Sequence, residues 1–146
     1  MTVSPAARRK ARHYAMQALY QWSMTSAAIN VIEAEFHTDN DMSKVDIAYF
    51  REILHGVPQR LTELDEAYKV YLKEREQSEL DPITQALLRM STYELVARID
   101  VPYKVVINEA VSLAKKFGAT DSHKFINGVL DKVAAKYRAV EVKASR

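Results

Sequence analysis

The 146-residue chain contains no cysteine, which excludes disulfides, thiolate metal sites, iron–sulfur clusters and a cysteine nucleophile together. Glycine and proline are scarce, at three and four residues. Tight turns and glycine-rich phosphate cradles both draw on these residues, so a hairpin-rich β protein and a phosphate-loop enzyme are disfavoured. Charges interrupt every apolar stretch long before it reaches a membrane-spanning length. The basic start Arg8-Arg9-Lys10-Ala11-Arg12 is followed by no apolar signal segment, and the expected location is the cytoplasm, with no membrane partner. His13, His37, His55 and His123 never stand three or four residues apart, so no helix presents two of them to a metal. No metal or cofactor is expected.

What is present fits one folded domain spanning residues 1–146. Apolar residues make up 48% and charged residues 27% of the chain, the balance of a globular protein. A chain of 16.7 kDa buries roughly 70% of its unfolded surface, enough for its own core. The net charge is only +2, but it is segregated. Residues 1–12 hold four cations and no acid, whereas residues 26–46 hold five acids against Lys44 alone. A segregated basic end points to a polyanionic partner.

The apolar spacing reads as helix almost throughout. Ala11, Tyr14, Ala15, Ala18, Leu19 and Trp22 recur at three- and four-residue steps and define one stripe of a helix opening near Pro5. Ile29, Ile32 and Phe36 repeat the pattern before a loop over residues 38–44. Asp46 can cap a helix carrying Tyr49, Phe50, Ile53, Leu54 and Val57 inward, and Leu61, Leu64, Tyr68 and Tyr71 extend the stripe past a bend or break at Gly56 and Pro58. Asp81-Pro82 joins a capping side chain to proline at the first helical position. Val101-Pro102 opens a helix that stops at Gly118, and Thr120 or Asp121 caps the last one, with Phe125, Ile126, Val129, Leu130, Val133 and Tyr137 apolar. The result is an all-α bundle of six or seven helices, with a core over about 5–137 and a frayed tail at 138–146.

Catalytic signals are thin. Glu109 stands beside the apolar stripe of its helix, and the ordinary expectation is pairing with Lys or Arg from a neighbouring helix. The first helix is more informative. At 100° per residue, Arg9, Arg12, His13, Met16 and Tyr20 fall in a sector of roughly 100° away from the stripe centred on Ala11, Ala18 and Trp22. Cations and an aromatic on one exposed face suit single-stranded RNA, because guanidinium groups neutralise phosphates while rings stack on unpaired bases. A solvated helix face carries the same composition.

Three stretches then show a resemblance. Ala7-Arg8-Arg9 with Ala11-Arg12 and Gln17-Ala18-Leu19-Tyr20, the run from Val101-Pro102-Tyr103-Lys104 to Asn108-Glu109-Ala110, and Asp121-Ser122-His123-Lys124-Phe125-Ile126-Asn127-Gly128-Val129-Leu130-Asp131 are similar to the NusB family of bacterial transcription antitermination factors. The resemblance covers about Ala7 to Ala134 and fades between Ser23 and Lys44. It implies two packed helical subbundles, no enzymatic activity, and binding to boxA RNA of ribosomal RNA leader transcripts. NusE, a small-subunit ribosomal protein, is the implied partner. Other Nus factors and RNA polymerase would complete a complex that resists premature, mainly Rho-dependent, termination. RNA contacts would fall on Arg8, Arg9, Lys10, Arg12, Tyr20, Asp121, Lys124 and Phe125, to which the helix-face reading adds His13. NusE would dock on the middle helices between Ile83 and Tyr103, with Thr84, Gln85, Arg89 and Tyr103 as candidates.

Two rival classes stand beside this adaptor. A plain protein-interaction bundle predicts no salt-dependent RNA affinity, and a small nuclease would have to use His13 or His123.

Overall fold

The computed structural model describes residues 4–73, 75, 76 and 79–145. Eight helices appear among them, and no strand: α1 (Pro5–Met24), α2 (Ile29–Asp39), α3 (Ile47–Gln59), α4 (Leu61–Lys69), α5 (Pro82–Ala97), α6 (Tyr103–Phe117), α7 (Ser122–Tyr137) and α8 (Ala139–Ala144).

Local chemistry explains where they begin. The Ser4 hydroxyl accepts the Ala7 N–H at 3.1 Å ahead of Pro5, the first residue of α1. Asp46 accepts the Tyr49 N–H at 3.1 Å to open α3, and Asp81 Oδ1 takes both the Ile83 and Thr84 N–H groups at 3.1 and 2.9 Å to open α5. The α3–α4 break comes at Arg60, two residues beyond Pro58. Gly56 has a different task from the expected bend. A Cβ there would stand 2.5 Å from the Tyr93 ring, so glycine permits α3 to approach α5 closely.

Helix α5 is the axis of the bundle. It packs against α1, α3, α4, α6 and α7. Burial follows on nearly every side, including Leu87, Leu88, Met90, Leu95 and the polar Ser91, Thr92 and Glu94. Helices α1, α2 and α3 pack together on one side of it; α4 and α6 lie on the other side with α7, which carries α8.

The structure corrects the expected frayed tail. After Tyr137 the chain forms α8, with Val142 buried. The guanidinium of Arg138 is buried too, and it donates to the carbonyl oxygens of Glu94, Leu95 and Arg98 at 3.2, 2.8 and 2.8 Å. Those are carbonyls at the C-terminal end of α5, which a cation satisfies well. Glu141 accepts from Arg138 at 2.6 Å and from the Tyr103 N–H at 2.8 Å, tying α8 to the start of α6. Two residues assigned to apolar stripes are less buried than the spacing implies: Trp22 packs against the core but stays partly exposed, and Tyr137 is exposed.

Candidate nucleic-acid interface

The basic run on α1 resolves into three environments. Arg9 and Lys10 face solvent, with Arg9 Nε 3.2 Å from Glu109 Oε1. That contact is the ion pair expected for Glu109. Arg8 is half-buried; its guanidinium lies 4.2 Å from the centre of the Tyr49 ring and 3.5 Å from the Asp46 carboxylate, and its Nε is buried without a hydrogen-bond partner.

Arg12 departs from the sequence reading. It is 3% exposed and locked to Glu94, Nε donating to Oε1 and Oε2 at 2.9 and 3.1 Å. The Tyr49 hydroxyl donates to the same carboxylate. Burial, then the Glu94 charge, pushes the Tyr49 hydroxyl well above its ordinary pKa, so it keeps the proton it donates. Burial opposes the Arg12 charge, but Glu94, with Tyr49 and Glu109 behind it, holds the guanidinium above its ordinary value. Met16, assigned to the same exposed sector, is buried as well. Both corrections have one cause: α1 is packed by α2, α3 and α5 and buries more than a single stripe.

Arg98 completes this network from the end of α5. It stacks 4.9 Å from the Tyr49 ring centre and bonds Glu52 at 2.6 Å and Asp100 at 2.9 Å. The Arg98 hydrogen bond holds the Asp100 carboxyl at about 2. A cleft of about 600 Å³ opens beside it, where Arg8, Arg9 and Arg12 meet Asp100, Pro102 and Glu109.

Further along α1, Arg9, Lys10 and His13 share a second cleft with Lys116 of α6. His13 packs edge-on against Phe117 at 4.9 Å, and the Gln17 amide nitrogen lies 2.8 Å from its Nε2. Burial, with the Lys116 charge behind it, lowers the His13 pKa, favouring the neutral ring that can accept that bond. Tyr20 is exposed over a third recess, lined by Met24, Phe36, Ile83 and Phe117. Phe117, which lines this third recess, packs against His13 of the second.

The α7 group lies a few residues beyond Phe117. Asp121 occupies the N-cap position with φ 66°, in the left-handed region, and its carboxylate makes no capping bond. It lies 3.4 Å from Lys124 Nζ instead. Phe125 is half-buried, with the Arg75 guanidinium 4.5 Å from its ring centre. Lys124 and Phe125 share a groove with Tyr71, Lys73 and Lys132, separate from the three recesses along α1.

The middle-helix candidates divide. Thr84, a candidate for direct docking, is instead buried, its hydroxyl donating to Asp81 Oδ2 at 2.7 Å as part of the α5 cap. Arg89 is mostly buried in a two-pronged pair with Asp65 at 3.0 and 3.1 Å. Gln85 and Tyr103 retain accessible surface, although the Tyr103 hydroxyl lies 2.8 Å from Ser145 Oγ. Sequence reasoning missed Tyr49, Glu94 and Arg98, which hold the arginine cluster, and Lys73, Lys116 and Lys132, which enlarge the basic surface. Only the lysines left a readable signal, Lys132 standing two helical turns after Lys124.

Among the described residues no cluster of three His, Asp or Glu side chains could hold a metal, and no helix is long and apolar enough to cross a membrane. Fold and surface define an all-helical two-part bundle that displays a basic and aromatic face. The chain belongs to the NusB family, whose family model matches residues 9–135. It is 65% identical over 146 residues to the transcription antitermination protein NusB of Saccharophagus degradans, covering 100% of this chain and 97% of that protein. Against the protein of the same name from Teredinibacter turnerae the identity is 62% over 146 residues, with 100% and 99% covered. The fold matches T. maritima NusB with a TM-score of 0.69 at 29% identity, over 92% of this chain and 94% of that one. It also matches a chain from the crystal structure of a plectonemic RNA supercoil with a TM-score of 0.77 at 22% identity, over 89% and 95% of the two chains, which bears on fold alone. The family is one of transcription antitermination factors rather than enzymes.

Proposed function

We propose that the chain binds boxA-type single-stranded RNA from ribosomal RNA leader transcripts together with NusE, in the cytoplasm. With other Nus factors it lets RNA polymerase pass premature, mainly Rho-dependent, terminators. The observation that carries this reading is the sequence of recesses along α1, cationic at Arg8, Arg9 and Lys10 and aromatic at Tyr20. Phosphates meet the first part and an unpaired base the second. Lys124 and Phe125 extend the same combination onto α7, with Asp121 at its edge. Arg12 serves by anchoring α1 to α5 through Glu94, and His13 by setting the aromatic wall with Phe117. On the partner side, Gln85 and Tyr103 offer NusE direct contact, while Thr84 and Arg89 shape the helix that carries Gln85.

The test is a titration of labelled boxA-type and scrambled RNA, with and without NusE, at two salt concentrations. Expected are a salt-dependent affinity, a preference for boxA, and tightening by NusE because two RNA-binding surfaces join. By linkage, saturating RNA must tighten NusE binding by the same factor. Salt-independent or undetectable RNA binding would leave only a protein-interaction bundle. RNA incubated with the protein and divalent metal should remain intact, since cleavage would instead support the nuclease reading.

A further inference from the structure

Gly128 sits in the middle of α7, on the same face as Lys124 and Lys132 at steps of four residues. Glycine weakens a helix interior relative to alanine, so its presence there calls for a reason. Packing inside the chain does not supply one: a Cβ at Gly128 would meet nothing within 4 Å. The missing side chain leaves bare helix backbone facing outward, at the floor of the groove lined by Tyr71, Lys73, Lys124, Phe125 and Lys132. No carboxylate lines that groove, and among the described residues neither Lys73 nor Lys132 has an ion-pair partner. Lys124 pairs only with Asp121, which does not line the groove, and both side chains are exposed.

A polyanion with flat rings is the occupant these features fit. Lysines without carboxylates suit phosphates, aromatic walls suit bases, and a bare helix surface admits close approach of a sugar–phosphate chain. A protein partner of matching charge would have to bring acidic side chains and would make no special use of Gly128.

We propose that the RNA path does not end at Phe125 but continues along α7 over Gly128, with Lys132 and Lys73 on its two sides holding consecutive phosphates. This rests on the RNA-binding reading above and extends its footprint.

The experiment titrates boxA-type RNA into the wild-type chain and into Gly128→Ala, Gly128→Leu, Lys132→Gln and Arg9→Ala, at two salt concentrations, alongside thermal melts. Alanine and leucine are better helix formers than glycine, so both Gly128 variants should melt higher, by about 2 to 4 °C. RNA affinity should move the opposite way, falling by roughly tenfold for Gly128→Leu and less for Gly128→Ala. Lys132→Gln should lower the salt slope by about 0.7. A Gly128→Leu protein that is more stable and binds RNA as wild type overturns the proposal, as does one that loses NusE binding in the absence of RNA instead. Arg9→Ala separates the two failures. If it weakens RNA while the Gly128 and Lys132 variants do not, the extended path alone is wrong; if RNA binds nowhere, the underlying function is.

Discussion

At the start of α1 each arginine meets a carboxylate: Arg8 lies 3.5 Å from Asp46, Arg9 3.2 Å from Glu109 and Arg12 2.9 Å from Glu94. On α7 and in the turn after α4, Lys132 and Lys73 meet none among the described residues. In the sequence α1 looks the more basic, with four cations and no acid over residues 1–12 against three lysines and two aspartates over residues 121–136, yet the two regions are built for different work. The arginines form an ordered, partly compensated scaffold in which the Tyr49 ring stands among the guanidinium groups of Arg8, Arg12 and Arg98. The lysines form an open field with full counterion release to offer. A count of basic residues therefore overstates the positive surface at α1 and understates its rigidity.

The sharpest way to break that contrast is to remove the most buried cation. Arg12→Ala leaves Glu94 inside the bundle with only the Tyr49 hydroxyl beside it. Breaking a buried pair from one side typically costs about 3 to 5 kcal/mol. Chemical denaturation should show a loss of that order, whereas an arginine on a solvated helix face would leave folding intact. Stability within about 0.5 kcal/mol of wild type would mean that Glu94 protonates or finds water without penalty.

How far the sequence could have foreseen this follows from particular residues. Asp46 and Asp81 were legible as caps because capping is local, needing only the amides two or three residues on. The stripe Ala11-Ala15-Ala18-Leu19 was legible from its period, and all four residues are buried. Arg12 and Met16 were not, because a helical wheel assumes one buried side and α1 is flanked by α2, α3 and α5. Nor was α8: its anchor is an arginine capping carbonyls some 40 residues earlier, a contact with no periodicity to announce it. At the site, Arg9 and Tyr20 could be placed on an exposed face from spacing, and the α7 group came only through family resemblance, because Phe125 by itself reads as core.

Tyr20 and Trp22 test whether packing and recognition separate along one helix. Tyr20→Ala should lose about 1 to 3 kcal/mol of RNA affinity with a nearly unchanged melting temperature. Trp22→Ala should do the reverse, at about 2 kcal/mol of stability; the usual 3 to 5 kcal/mol for a buried aromatic is reduced because Trp22 is partly exposed. Calorimetry paired with RNA titration gives both numbers, and an inverted ranking would reassign the two faces of α1.

Arg9→Ala probes the compensated region at its exposed edge. Its side chain is 63% exposed and its partner Glu109 lies at the surface of the same cleft, so the melting temperature should hardly move. The affinity for all RNAs should fall similarly, and the salt slope should drop by about 0.7. A retained slope would show that the bond to Glu109 persists in the complex and that Arg9 never reaches a phosphate.

The smallest effect is expected at Asp121, where a carboxylate stands at the mouth of the lysine field. Its φ of 66° lies in a region that aspartate and asparagine both tolerate. No capping bond depends on its charge, since its side chain accepts none of the α7 amides. The carboxylate does two things: it occupies Lys124 at 3.4 Å, and it adds a negative charge beside the first turn of a helix that would otherwise favour a phosphate. Asp121→Asn removes both effects without changing shape, so the fold should be retained. RNA affinity should rise by a modest factor, about two- to threefold, with the gain shrinking at high salt as screening lengths shorten. A normally folded Asp121→Asn protein with unchanged or weaker affinity would mean that the carboxylate either lies away from the RNA or accepts hydrogen bonds from a base, and the open field on α7 would then begin at Lys124 rather than at the helix end.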